Sequence, residues 1–116
     1  PHSAEEKSRG LAKSAMGVVG LETAFAASYT ALVKSGLIPF KRLVELMAIN
    51  ARDILRLPAC EIAAGFPATL CAVRLDEQWA VKGADFRSKG KATPFEGMTL
   101  TGRPVCTLIN GATAFK

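Results

Sequence analysis

Histidine is almost absent from this sequence: one, His2, stands among 116 residues. Zinc and iron sites draw on several imidazole, thiolate or carboxylate ligands at characteristic spacings, so a lone histidine excludes a site built on a histidine cluster within these residues. Cysteine is scarce too. Cys60, Cys71 and Cys106 form an odd set without C-x-x-C spacing, which argues against a disulfide framework and a zinc knuckle; buried, reduced thiols are expected instead. Aromatic residues make up 7% of the chain, with a single tryptophan, Trp79, and leave no interleaved platform on which nucleic-acid bases would stack. No apolar run approaches the roughly 20 residues of a membrane span, because Lys34, Lys41, Arg42 and Glu45 interrupt the most hydrophobic third.

What is present describes a globular piece. Hydrophobic residues are 49% of the chain and the mean hydropathy is +0.21, too apolar for a disordered segment. The formal charge is +5, from 15 Lys and Arg against 10 Asp and Glu. Lys82, Arg87, Lys89, Lys91 and Arg103 are nevertheless scattered among Asp85, Glu96 and glycines, the pattern of a solvated face. Neither a nucleic-acid nor a membrane partner is expected.

Residues 3–15 are polar with little periodicity and read as a surface loop or a short irregular turn. From Leu21 the apolar positions Ala24, Phe25, Tyr29, Leu32 and Val33 follow at helical spacing, with Gly36 as the helix-ending glycine. Pro39 opens a second helix whose buried side chains would be Leu43, Leu46, Met47 and Asn50. A short third helix runs from Ala51 to Leu57 and stops before Pro58. Beyond it the texture becomes that of strands, at Leu70 to Leu75, Gln78 to Val81 and Leu100 to Ile109. A turn or helical loop is expected at Asp85 to Lys89, and Asn110-Gly111 is a strong hairpin signal. Trp79 and Phe86 read as packing residues, and Glu5, Glu6, Glu22, Glu45 and Glu61 as capping or solvated charges.

The chemistry is concentrated at the start of the chain. His2 follows a proline and lies in a loop, and Gly17 and Gly20 flank Val18-Val19 just before the first helix. Glycines there let backbone N–H groups approach an anion, which the helix dipole also favours.

The run Pro1-His2-Ser3-Ala4-Glu5-Glu6-Lys7, followed by Met16-Gly17-Val18-Val19-Gly20-Leu21-Glu22-Thr23, resembles the last barrel segment of the bacterial dihydroorotases. Those enzymes carry Thr-Asp-His-Ala-Pro-His-Thr-x-Glu-Glu-Lys and then Phe-Gly-Ile/Val-Val-Gly-Leu-Glu-Thr at the same spacing. Ser3 replaces the usual Thr and Met16 the usual Phe, and Asn50-Ala51-Arg52 stands where the family usually has Asn-Pro-Ala, so without that helix-breaking proline the second and third helices are expected to run together. Ser88-Lys89-Gly90-Lys91-Ala92-Thr93-Pro94-Phe95-Glu96-Gly97 is similar to a further motif of the family, so the resemblance covers essentially the whole chain. Gly65 to Leu70 is similar to a superfamily Gly-x-x-Ala-Asp-Leu pattern, with Thr69 in the aspartate's place. Hydantoinases and allantoinases typically have Phe or Cys where His2 stands, which favours the dihydroorotase branch.

The resemblance implies an α/β fold: residues 1–58 as the C-terminal helical part of a metal-dependent (β/α)8 amidohydrolase barrel, and residues 59–116 as strands of the accessory β-sandwich. Such a barrel needs about 250 residues, and Pro1-His2 is neither an initiator methionine nor the opening of a signal peptide, so the chain reads as a fragment. The implied activity is the zinc-dependent interconversion of N-carbamoyl-aspartate and dihydroorotate in cytoplasmic pyrimidine biosynthesis. The family's zinc ligands are a His-x-His pair, a carboxylated lysine, two further histidines and an aspartate that is also the general base and falls three residues before Pro1. No zinc ligand and no catalytic group is therefore expected in this chain. His2 matches the histidine that contacts the substrate carboxylate, and Met16 with Gly17 the pair whose backbone holds the same end. The implied partners are the small-molecule substrate, the remainder of the chain, a second copy in a homodimer, or aspartate transcarbamoylase. A non-catalytic dihydroorotase-like scaffold and a hydantoinase-like hydrolase are the alternatives.

Overall fold

Ser3 and Glu6 are spaced for reciprocal capping, and in the computed structural model, which describes residues 2–10, 12–58 and 61–116, they do cap a helix. Glu6 N–H donates to Ser3 Oγ at 3.2 Å and Ser3 N–H donates to Glu6 Oε2 at 2.7 Å, closing a capping box around one helical turn, α1 (Ala4–Lys7). Within residues 3–15, expected to be a surface loop or a short irregular turn, residues 4–7 are thus a capped helical turn.

The next helix, α2 (Ala24–Ser28), starts after Leu21 rather than at it and continues as a π-helical turn, Tyr29–Val33. Thr23 sits at its N-cap, fully buried, with its N–H donating to the Gly20 carbonyl at 3.1 Å. Leu21 is left outside the helix and 91% exposed. Gly36 ends the helical stretch at φ +79°, a left-handed conformation that suits glycine, and its N–H donates to the Val33 carbonyl at 3.0 Å.

Pro39 occupies an extended N-cap before α3 (Phe40–Val44), which passes through a second π-helical turn, Glu45–Ile49, into α4 (Asn50–Ile54). With Ala51 where a proline would break the rod, the second and third helices run together. The expected buried face is only partly buried: Leu43 is 2% exposed, but Leu46 and Met47 are 45% and 41% exposed.

The second half is an antiparallel sheet in the order β1-β2-β3, built from β1 (Leu70–Ala80), β2 (Thr99–Ile109) and β3 (Ala112–Phe115). The two strands expected at Leu70 and Gln78 are one. Between the pairs Arg74↔Arg103 and Gln78↔Thr101, three residues of β1 stand opposite the single Gly102, a bulge that carries the strand past its polar break at Asp76-Glu77. A second register shift lies between Ala72 and Val73, beside Pro104, which as a strand residue without an N–H is tolerated at a bulge. The hairpin falls where expected, with Ile109 paired to Ala112 and positive φ at both Asn110 and Gly111. A short 3₁₀ turn, Gly83–Asp85, follows β1.

Helix and sheet meet at Gly102, whose φ is +92° and where an added Cβ would lie 3.1 Å from the Phe25 ring and 3.2 Å from the Tyr29 ring. Beside it Thr101 N–H donates to Thr30 Oγ1 at 2.8 Å, and Trp79 Nε1–H donates to the Gly102 carbonyl at 3.2 Å. The core is small: Ala26, Val81, Phe86 and Leu100, flanked by Val19, Ala27, Trp79 and Phe95. Its position between α2, β2 and the loop after β1 draws that loop towards the residues that precede α2. The Cα radius of gyration, 16.4 Å, exceeds the roughly 13 Å of a compact chain of this length, in keeping with an elongated outline of 52 × 30 × 29 Å. Among the thiols, Cys71 is exposed on β1 and Cys106 half-buried on β2, which corrects the expectation of buried cysteines; Cys60 lies outside the described residues. Among the described residues no helix is long and apolar enough to cross a membrane.

Candidate functional site

Lys7, on the last turn of α1, organises the loop that follows. Its ammonium donates to the Ala15 carbonyl at 2.5 Å and also to the Gly17 carbonyl. Ser14 Oγ–H adds a bond to the Lys7 carbonyl at 2.8 Å. The segment Ala15-Met16-Gly17 is thereby held against α1, with Gly17 at φ +95°, where a side chain would strain the backbone. Among the described residues no protein group accepts the Gly17 N–H.

His2, Met16 and Gly17 come together as walls of one open cleft of about 630 Å³. The opposite wall is Lys89-Gly90-Lys91-Ala92, tied to the first by the Val19 N–H, which donates to the Ala92 carbonyl at 2.8 Å. Lys7, Lys89, Lys91 and His2 line this cleft; the Lys7 and Lys91 ammoniums are engaged with backbone carbonyls, and their positive charge together with Lys89 still gives the walls a field that favours an anion. Met16 and Val18 are largely exposed there, at 88% and 66%. His2 Nδ1 lies 3.8 Å from Glu6 Oε2 across one turn. The Glu6 carboxyl sits below its ordinary pKa, chiefly because the Ser3 N–H and then the Ser3 hydroxyl donate to it.

Residues 89–91 belong to the Ser88–Gly97 motif, but spacing alone gives them no role because it does not place them opposite residue 17. Glu22, expected to be a capping or solvated charge, is corrected by the structure. Its two oxygens accept the backbone N–H groups of Arg87, at 3.0 Å, and Ser88, at 2.9 Å. Partial burial pushes its pKa up, but the N–H groups of Ser88 and Arg87 outweigh this and leave it below the ordinary carboxylate value. On the far side of Glu22 a larger cavity, about 930 Å³, is walled by Trp79, Phe86, Arg87, Arg103 and Phe115. Its guanidiniums are engaged: Arg87 lies 4.6 Å over the Phe115 ring, and Arg103 lies 5.8 Å over Trp79 while pairing with Glu77 at 3.0 Å.

Among the described residues no three His, Cys, Asp or Glu side chains gather as a metal site would require. The donor set of these residues does not fit the zinc that the resemblance implies.

The architecture is similar to that of two solved amidohydrolase-superfamily proteins. An L-hydantoinase (dihydropyrimidinase) from Arthrobacter aurescens superposes with a TM-score of 0.81 at 32% identity over 90% of this chain and 24% of its own. A D-hydantoinase from a Thermus species superposes with a TM-score of 0.83 over 100% of this chain and 26% of its own, and at 21% identity that likeness concerns the fold. The chain is thus a small α/β piece with a three-stranded sheet whose structural neighbours are hydantoinases of the amidohydrolase superfamily. Sequence is more specific. The dihydroorotase of Halalkalibacterium halodurans is 41% identical over 96% of this chain, that of Brevibacillus brevis 38% over 100%, and that of Fusobacterium nucleatum 39% over 99%. The dihydroorotase resemblance carried by the His2 and Gly17 motifs is thus borne out along the whole chain. No family model matches the chain. The chain spans about a quarter of the length of the dihydroorotases it matches.

Proposed function

We propose that the chain is the C-terminal part of a dihydroorotase and that it supplies the site holding the substrate's carboxylate. Residues 1–58 are the last helical units of the barrel and residues 59–116 belong to the accessory β-sandwich. The whole protein interconverts N-carbamoyl-aspartate and dihydroorotate, in cytoplasmic pyrimidine biosynthesis. The observation that carries this reading is the convergence of His2 and the Met16-Gly17 amides in one lysine-lined cleft, with the Gly17 N–H lacking a protein acceptor among the described residues. His2 supplies a side-chain donor, Gly17 a backbone one, and both meet the same carboxylate. Zinc and the general base are assigned to the remainder of the chain, and no step of the metal chemistry to these residues.

His2→Ala in the full-length protein is the test. Loss of one charge-assisted hydrogen bond, about 1.5–3 kcal/mol, lowers kcat/KM roughly ten- to two-hundred-fold and leaves the zinc content unchanged. On a substrate analogue without the carboxylate the same substitution costs little. Equal damage on both substrates, or loss of metal, would remove His2 from the carboxylate site. Residues 1–116 alone are expected to retain no stoichiometric zinc and to turn over no dihydroorotate, which metal analysis and an activity assay check.

The likeness to the L-hydantoinase, 32% identical, supports a second reading, a hydantoinase-like hydrolase. Competition between dihydroorotate and a hydantoin lacking the carboxylate separates the two, since only the first needs His2. A non-catalytic scaffold, for aspartate transcarbamoylase or a second copy, would lack the His-x-His pair and the aspartate upstream.

A further inference from the structure

The cleft's two walls are far apart in sequence; besides the Val19 N–H to Ala92 carbonyl bond that ties them, they are linked by a carboxylate that does not line the cleft. Glu22 follows the Gly17 wall by five residues and reaches behind the lysine wall, where Oε2 accepts the Arg87 N–H and Oε1 the Ser88 N–H. Two successive amides on two oxygens of one carboxylate fix both the position and the direction of the backbone that enters Lys89-Gly90-Lys91. The loop is also closed on itself, because the Lys91 ammonium donates to the Phe86 carbonyl and, at 3.4 Å, to the Ala84 carbonyl. Phe86 is buried at 6% exposure in the core, so one end of the loop is anchored, and Val19 N–H to Ala92 carbonyl, 2.8 Å, holds the other. Between these anchors Glu22 is the side chain of the Gly17 segment that grips the loop. Its ionised form is the one that accepts both amides, in line with its lowered pKa.

We propose that Glu22 is a positioning residue: its carboxylate sets the gap between the Met16-Gly17 wall and the Lys89-Gly90-Lys91 wall, and so the grip of the cleft on the anionic end of the substrate. This rests on the carboxylate-site reading above. Glu22 touches no substrate and acts through the lysine wall. A glutamine of the same shape keeps one acceptor but turns an NH2 towards an N–H, so one bond is replaced by a donor facing a donor.

The test is Glu22→Gln in the full-length protein, read by amide exchange and by steady-state kinetics with dihydroorotate. Arg52→Met serves as the control, since Arg52 also holds backbone, donating to the Pro58 carbonyl at 3.2 and 2.6 Å, away from the cleft. Glu22→Gln is expected to speed exchange at the Arg87 and Ser88 amides about tenfold or more, and to raise KM about tenfold with kcat within about twofold, the scale of one lost charge-assisted bond. Arg52→Met leaves both readouts unchanged. If Glu22→Gln does not fold, Glu22→Asp, which keeps the charge and withdraws it by one methylene, moves both readouts the same way by a smaller factor. Unchanged exchange at Arg87 and Ser88, faster exchange with an unchanged KM, or an equal rise in KM for Arg52→Met each overturns the proposal. Absence of turnover by the wild-type protein counts against the dihydroorotase reading; turnover indifferent to Glu22→Gln counts against Glu22 alone.

Discussion

Two regions of this molecule treat their apolar side chains in opposite ways. Around α2 and β2, rings and aliphatics are paired: Phe25 stacks on Tyr29 at 5.8 Å, Tyr29 meets Phe40 edge-on at 5.9 Å, and Val81 and Leu100 are 0% and 2% exposed. Along the rod from α3 to α4, only Leu43 is buried, while Leu46, Met47, Ile49, Ile54 and Leu55 face outward. The amphipathic pattern is equally clear in both regions. Periodicity thus reports which face of a helix is apolar, whereas burial depends on whether a complementary surface is within reach, and for the rod we assign that surface to the remainder of a chain whose relatives are about four times as long.

The largest effect that separates the regions is expected at Gly102. Gly102→Ala places a methyl against Phe25 and Tyr29 in a left-handed backbone, at about 1–3 kcal/mol for overpacking and about 1–2 kcal/mol for the conformation; urea unfolding measures it. Thr30→Val is next, because it strips the acceptor from the buried Thr101 N–H, and about 1–3 kcal/mol should be lost. In the rod, by contrast, Leu46→Lys with Met47→Lys is expected to shift unfolding by less than about 0.5 kcal/mol. The same pair should abolish self-association and dye binding by the isolated chain, which its exposed apolar face otherwise promotes; a wild-type chain that stays monomeric at every concentration would contradict this. The mildest prediction concerns acid. Glu22 has a lowered pKa in the folded protein, so its contribution is complete above the unfolded-state value of about 4.3 and is lost as pH falls through the folded value. Acidification should therefore free the Arg87 and Ser88 amides before the sheet opens, and Glu22→Gln should remove that pH dependence. Amide exchange across an acid series follows both.

Local chemistry was legible where it is self-contained. Asn110-Gly111 named its hairpin because two consecutive positive-φ positions suit few other residue pairs. The joined helices were foreseeable from Ala51 in a proline's place. The one-turn α1 was equally local, for Ser3-x-x-Glu6 is a capping signature, and polar composition obscured it. Asp76-Glu77 similarly divided one strand into two, because alternation lapses where a bulge turns three residues towards one partner. Of the candidate site, His2, Met16 and Gly17 were legible through their motif, while the lysine wall and Glu22 depend on contacts more than sixty residues apart in sequence.

The grip of Lys7 on two carbonyls also alters the amides behind them. Each carbonyl shares its peptide group with the next N–H, so an ammonium on the Ala15 and Gly17 oxygens draws electron density away from the Met16 and Val18 nitrogens. Hydrogen-bonded groups polarise one another in this cooperative way. The proton acidity of those two amides, flanking the Gly17 N–H in the same cleft, is therefore set from the opposite end of their peptide planes by the Lys7 ammonium.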